Sequence, residues 1–259
     1  MTMKHEVGMV SAIVLAGRAN DARLKDASPE PWEGLIEIGG RPMVAWVLDA
    51  LLGCKQVGHI VMVAPKAAFS AFASDRVTLV EPPGPMIENA LAGVRMCPPG
   101  EFVLVSTSDI PFVNSGIVER FLQQCAEREG DFYYPVASKQ STEKRFPGVK
   151  RTYVTIREGT FTGGNMFLVR RSKVDTMADK VGKWIEYRKN PAKQAGLLGW
   201  IFVIKLLLGT LSIPELERSI SNYLGCHGRA VISHDPEIGT DVDKPSDLEL
   251  ARREIKRPD

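Results

Sequence analysis

Short apolar runs alternate with stretches of helical periodicity from the start of the chain, an order that few folds accommodate other than a sheet of parallel strands covered by helices. Val10-Ser11-Ala12-Ile13-Val14-Leu15 is almost wholly apolar and stops at Ala16-Gly17. A run without a polar face predicts a strand buried on both sides. From Pro42 to Leu52 the residues Val44, Val47, Leu48 and Leu51 share one helical face, with Pro42 suited to the first turn and Gly53 to the stop. The order recurs as strands His59 to Val63 and Val77 to Val80, helix Met86 to Met96, strand Phe102 to Ser106 and helix Asn114 to Glu129. Three such crossovers predict a half-sheet of Rossmann-like kind.

Beyond that helix the pattern changes. Asp131 to Val136, Arg151 to Ile156 and Asn165 to Val169 read as strands separated by polar loops, with Arg157-Glu158-Gly159-Thr160 as a hairpin turn, so this part of the sheet is expected to be mixed or antiparallel. Ser172 to Leu224 reads as helical, and Ser212-Ile213-Pro214-Glu215 has the form of a capping box. A strand from Arg229 to Ser233 and a helix from Ser246 complete the α/β reading. With no repeat, linker or low-complexity tract, one domain is expected over 8–259, carrying a helical insertion over 173–225.

Composition narrows the function. Hydrophobic residues make up 44% and charged residues 25% of 259, which excludes disorder, and 33 Lys+Arg against 31 Asp+Glu leave a net charge of only +2, which argues against nucleic acid as a partner. Cys54, Cys97, Cys125 and Cys226 lie far apart in no ligand or disulfide pattern, and the first apolar run has no leader-type cleavage sequence, so reduced thiols in a cytoplasmic protein are expected. His5, His59, His227 and His234 show no ligand spacing and read as structural or surface residues. Ala195 to Leu208 is apolar apart from Gly199 and Lys205, shorter than the roughly 20 residues that span a bilayer. With the preceding Arg188-Lys189-Asn190-Pro191-Ala192-Lys193 it suits a membrane surface. Burial in the core or in a homodimer contact is the favoured expectation, because it is apolar on most faces.

In open parallel sheets ligands bind beyond the carboxyl ends of the strands, which directs attention to three places. Leu15-Ala16-Gly17-Arg18 is a small-residue turn followed by Arg23 and Lys25, fit either to cradle a phosphate or simply to turn with solvated charges. Asp109, in Thr107-Ser108-Asp109-Ile110-Pro111, is placed either to bind Mg²⁺ or to form a turn before proline. In Asp241-Val242-Asp243 the two acids share one side of an extended segment, so either could join Asp109 at a cation, whereas Asp247 in a first helical turn reads as structural. Lys139, Lys144, Arg145, Lys150 and Arg151 crowd the approach to Gly163-Gly164-Asn165, as an anion site or as a solvated hairpin.

Five segments in order carry a resemblance over nearly the whole chain: Leu15-Ala16-Gly17, Ile38-Gly39-Gly40-Arg41-Pro42-Met43, Ser108-Asp109-Ile110-Pro111, Gly163-Gly164-Asn165 and Asp241-Val242-Asp243-Lys244-Pro245-Ser246-Asp247-Leu248. Together they resemble the nucleotidyltransferases related to molybdenum cofactor guanylyltransferase, the MobA-like NTP transferases, whose superfamily includes sugar-phosphate and methylerythritol-phosphate nucleotidyltransferases. The resemblance implies a three-layer α/β/α sandwich of GT-A type that binds an NTP and Mg²⁺, lets a phosphorylated acceptor attack the α-phosphorus, and releases pyrophosphate. It implies that the Leu15-Ala16-Gly17 loop holds the triphosphate, that Glu88, Asn89, Ala92 and Gly93 adjoin base and ribose, that Asp109 and Asp243 hold Mg²⁺, and that Gly163, Gly164 and Asn165 face the acceptor; by their charge, Arg18, Arg23 and Lys25 would join the phosphate contacts and Lys150 and Arg151 the acceptor side. The chain departs from the family at Arg18, where a second glycine is usual, and at Glu33, which aligns with a phosphate-binding lysine. A nonenzymatic nucleotide-binding protein and a nucleotide-sugar glycosyltransferase are the alternative readings.

Overall fold

The structure is a computed structural model that describes residues 7–187, 193 and 196–256. Its strands are β1 (Val10–Leu15), β2 (Glu37–Ile38), β3 (Arg41–Pro42), β4 (Val57–Val63), β5 (Val77–Val80), β6 (Phe102–Thr107), β7 (Phe132–Ser138), β8 (Val154–Ile156), β9 (Gly159–Gly163), β10 (Met166–Arg170) and β11 (Gly228–Ser233). Among the described residues, nine of them form one sheet in the order β5-β4-β1-β6-β10-β7-β9-β8, with β11 beside β7, while β2 and β3 form a separate ribbon. The β5-β4-β1-β6 half is parallel, β10 enters antiparallel between β6 and β7, and β11 runs parallel to β7. Mixed pairing beyond β6 thus agrees with the polar, hairpin-like sequence there.

Burial on both faces of β1 makes the three layers. Ala12 and Val14 face a core shared with Val44, Val47, Leu51, Ile117, Phe121 and Leu122 from the Met43–Gly53 and Ser115–Cys125 helices. Ile13 points the other way, into Val61, Val63, Val103 and Val94 of the Met86–Met96 helix. Alternation along one apolar strand therefore feeds two cores, as a sheet covered on both faces requires.

Local chemistry sets several boundaries. Asn114 caps the Ser115–Cys125 helix by accepting from Ile117 N at 3.1 Å; the helix ends before the expected Glu129, where Arg128 forks onto Glu217 at 2.9 and 2.7 Å. Ser212 and Glu215 form the expected capping box of the Ile213–Leu224 helix, which closes on Gly225 at φ 77°. The strand expected from Arg151 begins only at Val154, because Arg151 is held against the acidic loop near residue 241.

The expectation that residues 195–208 are buried in the core needs correction, and the homodimer contact stays an expectation. Ala195 and Arg188 to Ala192 lie outside the described residues, as does His5. In the Trp200–Leu207 helix only Phe202 is buried, joining Ile156, Phe161 and Leu211, while Trp200 is 83%, Ile201 74% and Leu207 81% exposed. Among the described residues no helix is long and apolar enough to cross a membrane.

Candidate active site

At the carboxyl ends of β1, β4 and β6 the backbone is stitched across strands. Ala16 N donates to Val63 O at 2.9 Å, and Ser108 N donates to Leu15 O at 3.2 Å. A Cβ on Gly17 would stand 3.2 Å from Pro82 Cβ, so the glycine lets the turn lie close against the Pro82–Asn89 segment. That segment is shaped by Asn89, whose Oδ1 accepts from Gly84 N at 3.1 Å, and Glu88 beside it is exposed. Gly93 has a packing role on its core side: a Cβ there would fall 2.8 Å from Ile13 Cγ2, beneath the helix.

The loop after Gly17 is tied to Pro31–Glu33, through Asn20 N to Pro31 O at 2.9 Å and Glu33 N to Arg18 O at 3.1 Å. Asn20 adds two bonds from its amide nitrogen, to Ser28 O and Glu30 O. This pairing brings Glu33 inward, only 3% exposed, with Arg18 Nε 3.1 Å from its Oε2. Burial pushes the Glu33 carboxyl up to about 7; Arg18 opposes the shift, and the charges of Asp109, Asp243 and Asp21 add to it. The position that aligns with the family's lysine therefore does face the charged centre.

Asp109 lies at the end of β6. Its main-chain oxygen accepts from Val242 N at 2.8 Å, which fastens the acidic loop, and its Oδ1 accepts from the Thr107 hydroxyl. Burial and the charge of Asp241 raise its carboxyl to about 6, against the Thr107 hydroxyl and Arg18. Asp241 is itself raised by burial, with Arg151 opposing and Asp243 adding. Asp243 turns to two cations, Arg18 Nη1 at 3.1 Å and Arg23 Nη1 at 2.8 Å. Asp241 is thus the carboxylate whose charge bears most on Asp109, while Asp243, the acid expected to join Asp109 at a cation, engages Arg18 and Arg23. The period-two spacing placed both acids on one side but could not say which arginine each would engage.

Arg151 is likewise corrected. Its side chain is only 7% exposed, with Nη1 at 3.1 Å from Asp241 Oδ1 and 3.3 Å from Asp247 Oδ2, and Nη2 donates to Asp241 O at 2.6 Å. It clamps the acidic loop rather than reaching a ligand. Asp247, 2% exposed, also accepts from Asp243 N at 3.3 Å and pairs with Lys244, which bears out its structural reading. Lys25 and Lys150 are exposed, and Arg145 pairs with Glu237 and Glu254.

On the far side of β6, Asn165 O accepts from Thr107 N at 3.1 Å, which sets Asn165 next to the Asp109 turn. Gly163 and Gly164 owe their lack of a side chain to packing. A Cβ on Gly163 would meet the Tyr134 hydroxyl oxygen at 1.8 Å, and one on Gly164 would meet Pro135 Cγ at 2.8 Å. Cys54, Cys97, Cys125 and Cys226 are buried and unpaired, and burial raises all four thiols, so none is a ready nucleophile.

A Gly17 turn, two arginines and two half-buried carboxylates lie together at the strand ends, an arrangement chemically suited to a polyphosphate and a hard cation. Comparison with known proteins agrees in kind. Residues 12–188 match the MobA-like NTP transferase domain. A hypothetical transferase from Thermus thermophilus is 36% identical, with TM-score 0.80 over 93% of this chain and 99% of that one. The fold is also that of a 4-diphosphocytidyl-2C-methyl-D-erythritol synthase from Anaerococcus prevotii (13% identity, TM-score 0.61, covering 96% and 98%). A nucleotidyl transferase from Methanothermobacter shares it too (17%, 0.57, 95% and 97%). No curated protein matches the sequence. The matched domain, the Thermus relative and the position of the site leave one assignment: the chain is a nucleotidyltransferase and belongs to the MobA-like NTP transferase family.

Proposed function

We propose that this enzyme transfers an NMP from an NTP to a phosphorylated small-molecule acceptor, releasing pyrophosphate, with Mg²⁺ as its cofactor. The observation that carries the reading is the placement of Asp109, Asp241 and Asp243 at the strand ends beside the Gly17 turn and the Arg18 and Arg23 guanidinium groups.

Asp109 has no ion-pair partner among the described residues and lies beside Asp241, which Arg151 holds, and Asp243, which Arg18 and Arg23 hold; these carboxylate oxygens would fit a hard divalent ion. No group of three or more His, Cys, Asp or Glu among the described residues could hold a metal ion, so the protein would contribute carboxylates and the substrate phosphates and water the remaining ligands. When bound, Mg²⁺ supplies charge neutralisation on the phosphates.

The residues of the chain do the positioning. Backbone N–H groups of the Gly17 turn and the side chains of Arg18 and Arg23 bind the β- and γ-phosphates and stabilise the charge that builds on the pyrophosphate as it leaves. The Pro82–Asn89 segment, with Glu88 and Asn89, borders the nucleoside. Asn165, next to Thr107, and exposed Lys150 lie toward the acceptor, one of whose phosphate oxygens attacks the α-phosphorus in line. That oxygen is already anionic, so in-line placement suffices and no protein base is required.

Thermal-shift titration with each of the four NTPs, with and without Mg²⁺, identifies the nucleotide, since a ligand of the native state raises its apparent stability. Pyrophosphate release on adding phosphorylated acceptors then tests transfer. If no NTP shifts the melting temperature under either condition, the proposal fails.

A further inference from the structure

The Trp200–Leu207 helix is apolar on two faces and only one is covered. Phe202, Val203 and Leu206 pack with Ile156 and Phe161 on the β8–β9 hairpin and with Leu211. Trp200, Ile201, Ile204, Leu207 and Leu208 form the opposite stripe, at helical offsets of one, four, seven and eight from Trp200, and each is more than half exposed. A contiguous exposed apolar face of this kind marks an interaction surface.

Charge indicates what covers it. Between Glu186 and Glu215 the sequence has no acid, and four cations, Arg188, Lys189, Lys193 and Lys205, although the whole chain carries a net charge of only +2. Lys205 pairs with Glu215, and the other three precede the apolar stripe in sequence. A second copy would offer the same acid-free stretch of sequence, with no counter-charge for these cations. An apolar stripe headed by tryptophan and preceded by cations instead suits the boundary between acyl chains and anionic headgroups, where the indole and aliphatic side chains enter and the cations stay at the phosphates. The remaining residues of the basic segment, Asn190, Pro191, Ala192, Gln194 and Ala195, include no large apolar side chain with which the chain could cover its own stripe.

We infer that the Trp200–Leu207 helix docks this enzyme on the surface of an anionic lipid bilayer, lying in the interface without crossing it. Because β9 continues from Phe161 into Gly163 and on to Asn165, the docked face adjoins the side of the sheet proposed above to receive the acceptor.

The test is cosedimentation of the full chain with vesicles of phosphatidylcholine alone and of phosphatidylcholine mixed with phosphatidylglycerol. Binding to the anionic vesicles is expected to be at least about tenfold stronger at low salt and to weaken as salt is added. Trp200→Glu and Leu207→Glu should each abolish it. Both positions are more than four-fifths exposed, so the melting temperature and NTP binding of these variants should stay at wild-type values. Arg188→Ser/Lys189→Ser/Lys193→Ser should remove the preference for anionic vesicles. Three results overturn the inference: no sedimentation with anionic vesicles, sedimentation unchanged in Trp200→Glu, or a concentration-dependent dimer that Trp200→Glu dissolves, which would make a second copy the occupant. None of these readouts depends on catalysis, so failure here is separable from failure of the proposed reaction.

Discussion

Glu33 offers the sharpest test of the site's electrostatics. Its carboxyl is pushed from an ordinary 4.5 up to about 7, mainly by burial. Between those two values native Glu33 keeps a proton that the unfolded chain has released, so the native state binds more protons and its stability falls as pH rises. Below about 4.5 the contribution is fully present, and above about 7 it is lost. At about 1.4 kcal/mol per pH unit, the total across the window is about 3 kcal/mol. Glu33→Gln cannot titrate. The difference in unfolding free energy between Glu33→Gln and wild type should therefore grow in favour of the variant by about 3 kcal/mol from pH 4.5 to 8, while every other titration common to both proteins cancels. Urea unfolding at a series of pH values measures this difference directly. A difference that stays constant with pH would refute the burial argument, because it would mean that the carboxyl titrates alike in folded and unfolded chains. Glu33→Lys extends the test to ligand. A cation at this position should tighten NTP binding by about tenfold or more, as one added charge-assisted phosphate contact does. Unchanged affinity would show that the residue does not face the phosphates.

Three further outcomes follow from the geometry. Asp109→Asn should abolish Mg²⁺-dependent NTP binding and leave the fold intact, since the substitution keeps the Thr107 contact and relieves repulsion with Asp241; unaltered Mg²⁺ dependence in calorimetry would remove Asp109 from the cation site. Arg151→Met should destabilise the chain by about 3 to 5 kcal/mol in urea unfolding, because it leaves Asp241 and buried Asp247 without their guanidinium, and Asp247→Asn in that background should recover part of the loss. Gly163→Ala should cost about 1 to 3 kcal/mol through its clash with the Tyr134 hydroxyl, and Tyr134→Leu should relieve it; equal costs with and without Tyr134 would deny the contact.

The parts of this fold that showed in the sequence are those with one dominant local signal. β1 is nearly all apolar and is buried on both faces; the Met86–Met96 helix and the Ser212–Glu215 capping box occur where period and cap chemistry put them. What did not show depends on distant partners. The Lys139–Arg145 helix has no apolar period and starts on a cap, Ser138 Oγ accepting from Ser141 N at 3.0 Å. β9 is five residues that begin and end in glycine and exists because β7 and β8 pair with it on either side. Glycine is ambiguous in the same way. Gly17 serves the turn at the proposed phosphate site, whereas Gly93 and Gly164 allow close packing, and the letter is the same. The Trp200–Leu207 segment shows the limit of hydropathy, which measures how strongly a side chain avoids water and not whether this chain supplies the cover.

Exposure separates the cations of the site into two kinds, and that division bears on the departure at Glu33. Arg151 is 7% exposed and holds Asp241 and Asp247 at the end of a buried fork, so releasing it would strand two carboxylates, and it must stay in place through any turnover. Arg18 is 45% and Arg23 68% exposed, and both hold the partly open Asp243. Exchanging that carboxylate for a phosphate oxygen trades one charge-assisted contact for another, so it costs little and contributes little to affinity. Arg18 also leans on Glu33, and here burial matters more than the identity of the side chain. A carboxyl raised to about 7 takes up a proton when a polyanion approaches far more readily than an ordinary carboxylate, and the neutral acid no longer repels phosphate or competes for Arg18. Replacement of a lysine by an acid is therefore compatible with nucleotide binding in this chain provided the acid is buried, and it carries a signature that lysine would not give. NTP binding near pH 7 should be accompanied by proton uptake at Glu33, seen as a dependence of the calorimetric enthalpy on the ionisation enthalpy of the buffer. That dependence should shrink in Glu33→Gln. If it is as large in the variant as in wild type, the protons come from elsewhere and the neutral-acid account of Glu33 is wrong.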